Sequence, residues 1–324
     1  MRKALIFGIS GQDGSYLAKL LLSKNYKVYG VSRDRENCDL SKLKYLDILS
    51  EVEIMSGTVG SFDSVVGVLG KVDPDEIYNL SGESSVSLSF KYPVATLESI
   101  VLGTQNLLDG IRRYNPSIRL FSPCSTECFG DTGNDIADES TTFRPRSPYS
   151  IAKSAAFWQV SHYRDAYGIF ACSGIMSNHE SPLRPTWFVT QKIISTACRI
   201  YNGSEEVLYL GNLDVERDWG WAPDYVEAMW LMLQQSSASD FIIATGQSTS
   251  LKTIVKKIFS HLDLDYMRHL SLKEGLLRPT DFRVSRVSPE KAKVFLGWHA
   301  KVNVDSLISN LIHSKLRAEL PKHP

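Results

Sequence analysis

Two residues four apart, Tyr149 and Lys153 in the segment SPYSIAK, carry side chains that can move a proton. Positions i and i+4 of a helix share a face, so the phenol and the ammonium would point into one site. A nearby cation favours the phenolate, which would let the tyrosine act as a base near neutral pH. Alone, a Y-x-x-x-K pattern most often marks a helix surface, so the pair needs a second signal.

A glycine triplet near the start of the chain supplies that signal. Gly8, Gly11 and Gly14 have G-x-x-G-x-x-G spacing, with a short apolar run before them and an amphipathic stretch after them. Glycines that open a helix after a first strand cradle a pyrophosphate, although such a cluster can also be only a tight turn. Together with the tyrosine and lysine, the triplet predicts a dinucleotide site. The residues expected at its phosphates are Gly8, Ser10, Gly11, Gln12, Asp13 and Gly14.

The end of the second predicted strand indicates which dinucleotide binds. An acid at this place hydrogen-bonds the ribose 2′-hydroxyl of NAD, whereas an arginine accommodates the 2′-phosphate of NADP. The chain has Ser32, Arg33 and Arg35 here, which favours NADP over NAD. Asp34 either opposes the phosphate or pairs with one of the two arginines as a surface charge.

The elements that must position these residues follow from hydrophobic periodicity. Short apolar runs alternate with amphipathic stretches, which predicts a parallel sheet covered by helices on both faces. Strands are predicted over residues 4–7, 28–31, 52–55, 77–80, 120–122, 169–172 and 241–244. Helices are predicted over residues 94–114, 147–166, 188–202, 223–235, 250–262 and 303–319.

This pattern indicates an α/β protein with a Rossmann-type doubly wound sheet. We expect an NADP-binding domain over residues 1–175, with a return to the sheet near 212–246. Residues 176–324 are then expected to form mostly a smaller substrate lobe, with the ligand cleft between the lobes.

The amino-acid composition limits the kinds of function that the protein can have. The 324 residues are 43% hydrophobic, with 36 basic and 36 acidic side chains and zero formal net charge. Such a balance gives no electrostatic case for binding nucleic acid or an anionic membrane. No apolar run reaches the roughly 18 residues of a transmembrane helix.

The five cysteines are scattered, and their odd number favours reduced thiols in a cytoplasmic protein. Cys124 and Cys128 are four apart, but a metal site needs two more ligands and none is evident. We therefore predict no metal and interpret these thiols as buried bystanders.

Longer segments resemble one family. They are GISGQDGSYLAKLL, RPRSPYSIAK, NHESP, FVTQKI, LGNLDVERDWGWAPDYVEAMWLMLQQ, IATGQ and LRPTDF. They are similar to GDP-mannose 4,6-dehydratase, an extended short-chain dehydrogenase/reductase, and they cover nearly the whole chain. The resemblance implies NADP as cofactor and a GDP-sugar as substrate. It also implies a homodimer or homotetramer assembled through the two long helices near 94–114 and 147–166.

The resemblance further implies a dehydration mechanism. Tyr149 takes the proton of the sugar 4-hydroxyl while a hydride passes from C4 to the nicotinamide, to be returned later to C6. Lys153 depresses the pKa of that tyrosine and holds the nicotinamide ribose, and Ser125 orients the 4-oxygen. Glu127 removes the C5 proton, and the 6-hydroxyl leaves as water with a proton from Glu127 or Thr126. A glutamate at this place can also be a plain surface or capping residue.

The same resemblance implies a set of substrate contacts. The residues expected to contact the GDP moiety are Asn178, Val189, Lys192, Arg217, Arg278 and Asp281. Arginines in apolar surroundings need anionic partners, which a diphosphate would supply. Internal salt bridges to Asp218 or Asp281 are the alternative for either arginine.

Several positions depart from the family pattern near the expected hexose and adenine. Thr58 replaces an acid expected at the adenine, and Glu83 replaces a neutral amide in the substrate pocket. Pro185 and Trp187 replace small or polar residues, and Cys124 is unusual beside the serine. These changes leave open another sugar, such as GDP-manno-heptose, or a modified reaction.

Two other classes of function remain open at this point. A GDP-4-keto-6-deoxy-sugar reductase or a 4-epimerase would use the same tyrosine, but Glu127 favours a dehydratase. A non-catalytic NADP or sugar-nucleotide sensor would have no need of Ser125, Glu127, Tyr149 and Lys153 together.

Overall fold

The computed structural model describes residues 1–319. Its strands are β1 (Lys3–Phe7), β2 (Lys27–Ser32), β3 (Val52–Ser56), β4 (Glu76–Asn79), β5 (Arg119–Ser125), β6 (Ala171–Met176), β7 (Asn178–Glu180), β8 (Leu208–Leu210), β9 (Glu216–Trp221), β10 (Phe241–Ile243), β11 (Ser248–Ser250) and β12 (Leu270–Leu272). Its α-helices are α1 (Gln12–Ser23), α2 (Ser41–Tyr45), α3 (Phe62–Val72), α4 (Val86–Lys91), α5 (Pro93–Leu97), α6 (Gly103–Tyr114), α7 (Pro148–Tyr167), α8 (Val189–Tyr201), α9 (Ala222–Leu233), α10 (Leu251–His261), α11 (Tyr266–His269), α12 (Glu290–Leu296) and α13 (Val304–Glu319).

The main sheet has seven strands in the order β10-β6-β5-β4-β1-β2-β3, and each pair of neighbours is parallel. Its strands are apolar on both faces because helices cover both sides, as parallel sheets require. One face packs against α1 and α9 through residues such as Leu17 and Met229. The other packs against α3, α6 and α7 through residues such as Leu69 and Leu107.

The chain changes direction across the sheet between β1 and β4. From β1 it proceeds through β2 to β3 on one side, and from β4 through β5 to β6 on the other. At such a switch point the loops after adjacent strands diverge and leave a crevice at the carboxyl ends of the strands. The glycine loop after β1 and the residues that end β5 therefore face one cleft.

The second lobe has its own core. β11, β9 and β7 form a three-stranded sheet, and β8 pairs with β12. Helices α8, α10 and α13 pack over this layer through buried apolar residues such as Ile194, Ile258 and Leu311. This lobe stands over the carboxyl edge of the main sheet, because β7 begins two residues after β6 ends.

The predicted fold class is confirmed, and the predicted elements are present with shifted ends. The long helix over 94–114 is present as α5, a π-helical turn at Glu98–Leu102, and α6. The sixth strand begins at Ala171, two residues later than predicted, and Gly168, with φ of 66°, ends α7 in the left-handed region three residues before it. The sequence did not predict the short strands β7, β8, β9, β11 and β12, which have no local signature beyond their pairing. β10 returns to the main sheet from the carboxy-terminal half, within 212–246.

Among the described residues, no helix combines the length and apolar character needed to span a bilayer.

Candidate active site

Helix α7 presents the tyrosine and the lysine. Ser147 and Ser150 form a reciprocal capping box at its start, and Pro148 occupies the first turn, where a missing N–H costs nothing. Tyr149 therefore lies in the first turn, and Lys153 lies one turn later on the same face. The Lys153 ammonium is 5.8 Å from the centre of the Tyr149 ring.

Burial shifts the pKa of both the tyrosine and the lysine toward their neutral forms. The Lys153 Nζ donates a hydrogen bond to the backbone oxygen of Pro123 at 2.8 Å. Burial raises the pKa of Tyr149 well above its usual value, while a hydrogen bond with Ser125 opposes that rise. Burial likewise lowers the pKa of Lys153. Desolvation thus opposes the phenolate that the sequence led us to expect.

A short turn at the end of β5 holds the serine and the glutamate. The Ser125 Oγ accepts a hydrogen bond from the backbone N–H of Glu127 at 3.2 Å, which caps the single 3₁₀ turn Thr126–Phe129. Pairing with β6 extends to this point, where Ser125 is opposite Met176. Ser125 is thus carried by the last residue of a paired strand, and Glu127 by the capped turn that directly follows it.

An arginine from the second lobe reaches this turn. The Arg217 Nε donates to the Glu127 Oε1 at 3.2 Å, across 90 residues of sequence. Its Nη2 donates to Asp281 at 3.2 Å, and it is 5% exposed. Its other N–H groups meet the backbone oxygens of Glu216, Phe282 and Arg283. The ion pair with Arg217 determines where the Glu127 carboxylate points. The contact with Asp281 is the internal salt bridge that the sequence left as an alternative for Arg217.

The glycine loop leaves backbone N–H groups uncovered at the start of α1. Gly11 caps this helix without a side-chain hydrogen bond. A Cβ on Gly8 would lie 2.4 Å from the backbone oxygen of Leu80, and one on Gly14 would lie 2.3 Å from that of Gly8. Side chains are thus excluded, and the helix N-terminus is open to an anionic group. The residues present fit the pyrophosphate of a dinucleotide.

The end of β2 presents cations and no opposing acid. Arg33 is exposed and lines the cleft beside Ser32. Asp34 turns away, since its carboxylate accepts the backbone N–H of Glu36 and both the backbone and side-chain N–H groups of Asn37. The hydrogen bond from the Asn37 side chain is the largest cause of the lowered pKa of Asp34. Asp34 therefore caps a local turn instead of opposing the phosphate or pairing with an arginine.

Most of the predicted site residues line one cleft of about 1290 Å³ between the two lobes. The residues on its cofactor side are Gly8, Ser10, Gly11, Gln12, Asp13, Gly14, Ser32, Arg33 and Thr58. Those on its catalytic and substrate side are Glu83, Ser125, Glu127, Tyr149, Lys153, Asn178, Val189, Lys192, Arg217, Arg278 and Asp281. Two predicted residues do not line it: Thr126 is buried within the 3₁₀ turn, and Arg35 is exposed outside the cleft.

Arg278 and Glu83, both on the substrate side, differ in whether their charged groups already have hydrogen-bond partners. Arg278 approaches Asp281 at 3.7 Å, which is too long for a hydrogen bond, so its guanidinium is open to an anion. The Glu83 Oε1 accepts the backbone N–H groups of Ser84 and Ser85, at 2.9 and 2.7 Å, just before α4. This carboxylate therefore stabilises a helix start in addition to lining the cleft.

Sequence reasoning missed several ionisable residues in the cleft, among them His179, Arg184 and Lys42. His179 Nε2 lies 2.9 Å from the Asp13 carboxylate, which ties β7 to the start of α1. Arg184 lines the cleft with its guanidinium over the ring of Phe188, at 3.9 Å. Lys42 donates to the backbone oxygen of Ser10 at 3.1 Å. The NHESP segment was recognised as a motif, but no local rule indicates which of its side chains face a ligand.

The part of the chain that the structure describes contains no group of three or more His, Cys, Asp or Glu side chains arranged to hold a metal ion.

Comparison with known proteins agrees with this geometry. A family model described as GDP-mannose 4,6 dehydratase matches residues 5–311. GDP-mannose 4,6 dehydratase 1 of Arabidopsis thaliana is 38% identical over 323 residues, covering 97% of this chain and 89% of the plant protein. GDP-mannose 4,6 dehydratase of Homo sapiens is 37% identical over 336 residues, covering 96% of this chain and 90% of the human protein.

Solved structures show the same fold at lower identity. A dTDP-glucose 4,6-dehydratase from Bacillus anthracis, in complex with NAD, has a TM-score of 0.86 at 20% identity and 98% coverage of each chain. A UDP-glucose 4-epimerase from Thermotoga maritima, with UDP-glucose, has a TM-score of 0.86 at 20% identity, covering 98% of this chain and 99% of the epimerase.

The architecture is therefore the fold shared with this dehydratase and this epimerase, a Rossmann-type class of enzyme fold. The chain belongs to the GDP-mannose 4,6-dehydratase family, since the family match and the relatives cover nearly its whole length.

Proposed function

We propose that this protein is an enzyme that removes water from GDP-mannose to form the 4-keto-6-deoxy sugar nucleotide. The observation that carries the proposal is the meeting of Glu127 with Ser125, Tyr149 and Lys153 in one cleft. Oxidation at C4 needs the tyrosine alone, whereas elimination across C5 and C6 needs a further base. The family membership supports the same reaction.

A bound nicotinamide would supply the redox chemistry, accepting hydride from C4 of the sugar and giving it back at C6. Tyr149 takes the proton of the 4-hydroxyl, and the Ser125 hydroxyl orients the 4-oxygen. The resulting ketone makes the C5 proton acidic, and Glu127, aimed by Arg217, removes it. The same carboxyl group then protonates the departing 6-hydroxyl. Thr126 takes no part in this scheme, because it does not line the cleft.

Activation of Tyr149 has to overcome the effect of burial, which raises the pKa of the phenol. The Lys153 ammonium is held by the Pro123 carbonyl. A bound oxidised nicotinamide would add a positive charge to the site, and a nearby cation favours the phenolate. Proton transfer by a positioned group of this kind contributes about 10²–10⁴-fold to the rate.

The dinucleotide is proposed to be NADP. Arg33 and Lys42 both line the cleft around the end of β2 and the glycine loop, and Asp34 is turned away. A 2′-phosphate would meet two cations there, whereas a 2′-hydroxyl would find no carboxylate to accept its hydrogen bond.

The GDP diphosphate is proposed to bind at Arg278, with Lys192 and Asn178 on the same wall. Of the two arginines expected at the diphosphate, Arg278 has N–H groups free to bind an anion. Those of Arg217 already donate to Glu127, Asp281 and backbone oxygens. Pro185 and Trp187 also line the cleft, and Trp187 is 69% exposed. These two residues are among the positions of the cleft where the chain departs from the family pattern.

The experiment that tests the function is incubation with GDP-mannose and a catalytic amount of NADP⁺, followed by mass spectrometry. We expect a product lighter by one water, with the cofactor regenerated. A reductase or epimerase would give no such product, so GDP-mannose left intact, or converted to an isomer of the same mass, would exclude the proposal.

The role of Glu127 is tested with Glu127→Gln, which keeps size and hydrogen bonding but cannot take a proton. We expect this variant to build up NADPH absorbance in a single turnover while dehydration stops. Deuterium from heavy water should no longer enter C5. Glu98→Gln is the control, because Glu98 lines the cleft from the helical wall and not from the turn. Normal dehydration by Glu127→Gln would remove this residue from the mechanism.

A further inference from the structure

Two thiols enclose the segment that carries the serine and the glutamate. Cys124 is the penultimate residue of β5, and Cys128 lies in the 3₁₀ turn that follows. Their sulfur atoms are 3.6 Å apart. A disulfide requires a sulfur–sulfur distance of about 2.05 Å, so the pair needs only a small approach to bond.

The same two sulfurs also contact α7. The Cys128 Sγ donates to the backbone oxygen of Ser150 at 3.5 Å, and the Cys124 Sγ lies 3.9 Å from that of Lys153. The pair therefore sits between the turn that holds Glu127 and the helix that holds Tyr149. Any movement of the sulfurs acts on both sets of catalytic groups.

The pair is reachable from the cleft through one of its members. Cys124 lines the cleft, although it is 4% exposed, whereas Cys128 is fully buried. Burial raises the pKa of the Cys124 thiol. For Cys128, burial acts in the same direction, but hydrogen bonds from Cys124 and Ser154 hold its pKa below the usual value. Cys124 is thus the sulfur that a small oxidant in the cleft meets, and Cys128, 3.6 Å away, is placed to attack it.

We propose that Cys124 and Cys128 are a peroxide-sensitive dithiol that closes to a disulfide and disables the catalytic turn. A hydroperoxide transfers one oxygen to the Cys124 sulfur, which gives a sulfenic acid and, from hydrogen peroxide, one water. The Cys128 sulfur then attacks the Cys124 sulfur, and the hydroxyl leaves as a second water with the thiol proton. The two thiols lose two electrons and two protons, and the peroxide O–O bond is reduced.

Closure is expected to inactivate the enzyme because the new ring encloses Ser125, Thr126 and Glu127. The two sulfurs lie 3.6 Å apart and must together move by roughly 1.5 Å to reach the bonding distance of a disulfide. Displacement of a catalytic group by about 1 Å can cost on the order of 10²-fold in rate. The activity consequence rests on the proposed dehydratase function, whereas disulfide formation itself does not.

The test treats the full-length protein with hydrogen peroxide and measures intact mass and turnover in parallel. We expect the mass to fall by two hydrogen atoms while turnover falls roughly tenfold or more, and dithiothreitol to restore both. Digestion should locate the new bond between Cys124 and Cys128. The mass readout separates this proposal from the proposed function, since it needs no substrate.

Matched variants identify the sulfurs. Cys124→Ser and Cys128→Ser should each lose the reversible response, with activity compared to the same variant under reducing conditions. Cys38→Ser should keep it, because Cys38 lies on the loop after β2, remote in sequence from the turn. If either pair variant cannot be purified folded, the wild-type mass and peptide map decide alone. The proposal would be overturned if the mass showed a gain of oxygen without a loss of hydrogen, or if the disulfide formed without a loss of turnover. An unchanged response to peroxide in both Cys124→Ser and Cys128→Ser would also overturn it.

Discussion

At the scale of single residues, the decisive features are charges placed around the ends of the strands. Arg33 was recognised from its position after β2, and the structure adds Lys42, which reaches the glycine loop from α2. Arg35, two residues along, is exposed outside the cleft although its charge is the same. A positive charge near the strand end therefore does not by itself identify a residue that binds phosphate. The position of the side chain relative to the cleft has to be known as well.

Cofactor choice is the prediction that belongs to this scale. Arg33→Ala should weaken NADP⁺ binding on the order of tenfold or more, because a hydrogen bond to a charged group is worth roughly 1.5–3 kcal/mol. NAD⁺ binding should change little, since NAD⁺ has no 2′-phosphate. Lys42→Gln should act in the same direction.

Isothermal titration with both dinucleotides measures these effects, and Arg35→Ala is the control for loss of a nearby positive charge. Equal losses for NADP⁺ and NAD⁺ would mean that Arg33 and Lys42 support the loop rather than contact the phosphate. A wild type that prefers NAD⁺ would contradict the cofactor assignment while leaving the dehydration reaction open to test.

At the scale of elements, the start of α1 is the most constrained part of the cofactor site. Gly14 lies in the first turn of this helix, against the backbone of Gly8 and Ile9. The absence of a side chain here lets the loop fold back under the helix end and turn its N–H groups outward. Helix α3 offers the opposite case, because no described atom lies within 4 Å of a Cβ built on Gly67.

These two helical glycines give a matched stability prediction. Gly14→Ala should lower the free energy of unfolding by about 1–3 kcal/mol, as overpacking does, and should weaken dinucleotide binding. Gly67→Ala should raise it by about 0.5–1 kcal/mol, because alanine has less backbone entropy to lose in a helix. Urea denaturation followed by tryptophan fluorescence measures both. A Gly14→Ala variant as stable as the wild type would show that the loop can move without cost.

At the scale of the whole molecule, an apolar surface is left uncovered on the face formed by α4, α5 and α7. Ile151 and Trp158 on α7 are 50% and 62% exposed, and Val94 on α5 is 66% exposed. Tyr92 and Leu97 are also exposed in the same region. Side chains of this size on adjacent helices mark an interaction surface, and a second copy of the same face would cover them. We therefore propose a homodimer, or a tetramer built from it, assembled through these helices.

Oligomerisation is accordingly predicted to depend on this face. The wild type should be at least dimeric in light scattering at micromolar concentration. Trp158→Glu should yield monomers, since a buried unpaired carboxylate is costly at an interface. Trp187→Glu is the control, because Trp187 is as exposed but lies at the cleft. A monomeric wild type would show that the apolar face has another role.

The sequence by itself determined the parts that depend on local rules. The alternation of apolar and amphipathic stretches predicted the parallel sheet, and the glycine spacing predicted the phosphate loop. The four-residue interval placed Tyr149 and Lys153 on one face of α7, as the structure shows. Each of these inferences depends on hydrogen bonds and periodicities within one element or between neighbours along the chain.

Only the tertiary structure decided which side chains meet across elements. Arg217 reaches Glu127 across 90 residues of sequence, and Lys42 reaches Ser10 across 32. Burial, which depends on every element packed around a group, raises the pKa of Tyr149 against the sequence-based expectation. The packing of β5 and its following turn against α7 also holds Cys124 and Cys128, interpreted from the sequence as bystanders, beside that helix. Such contacts arise from packing over the whole fold, because orientation and desolvation are set by neighbours that are distant along the chain.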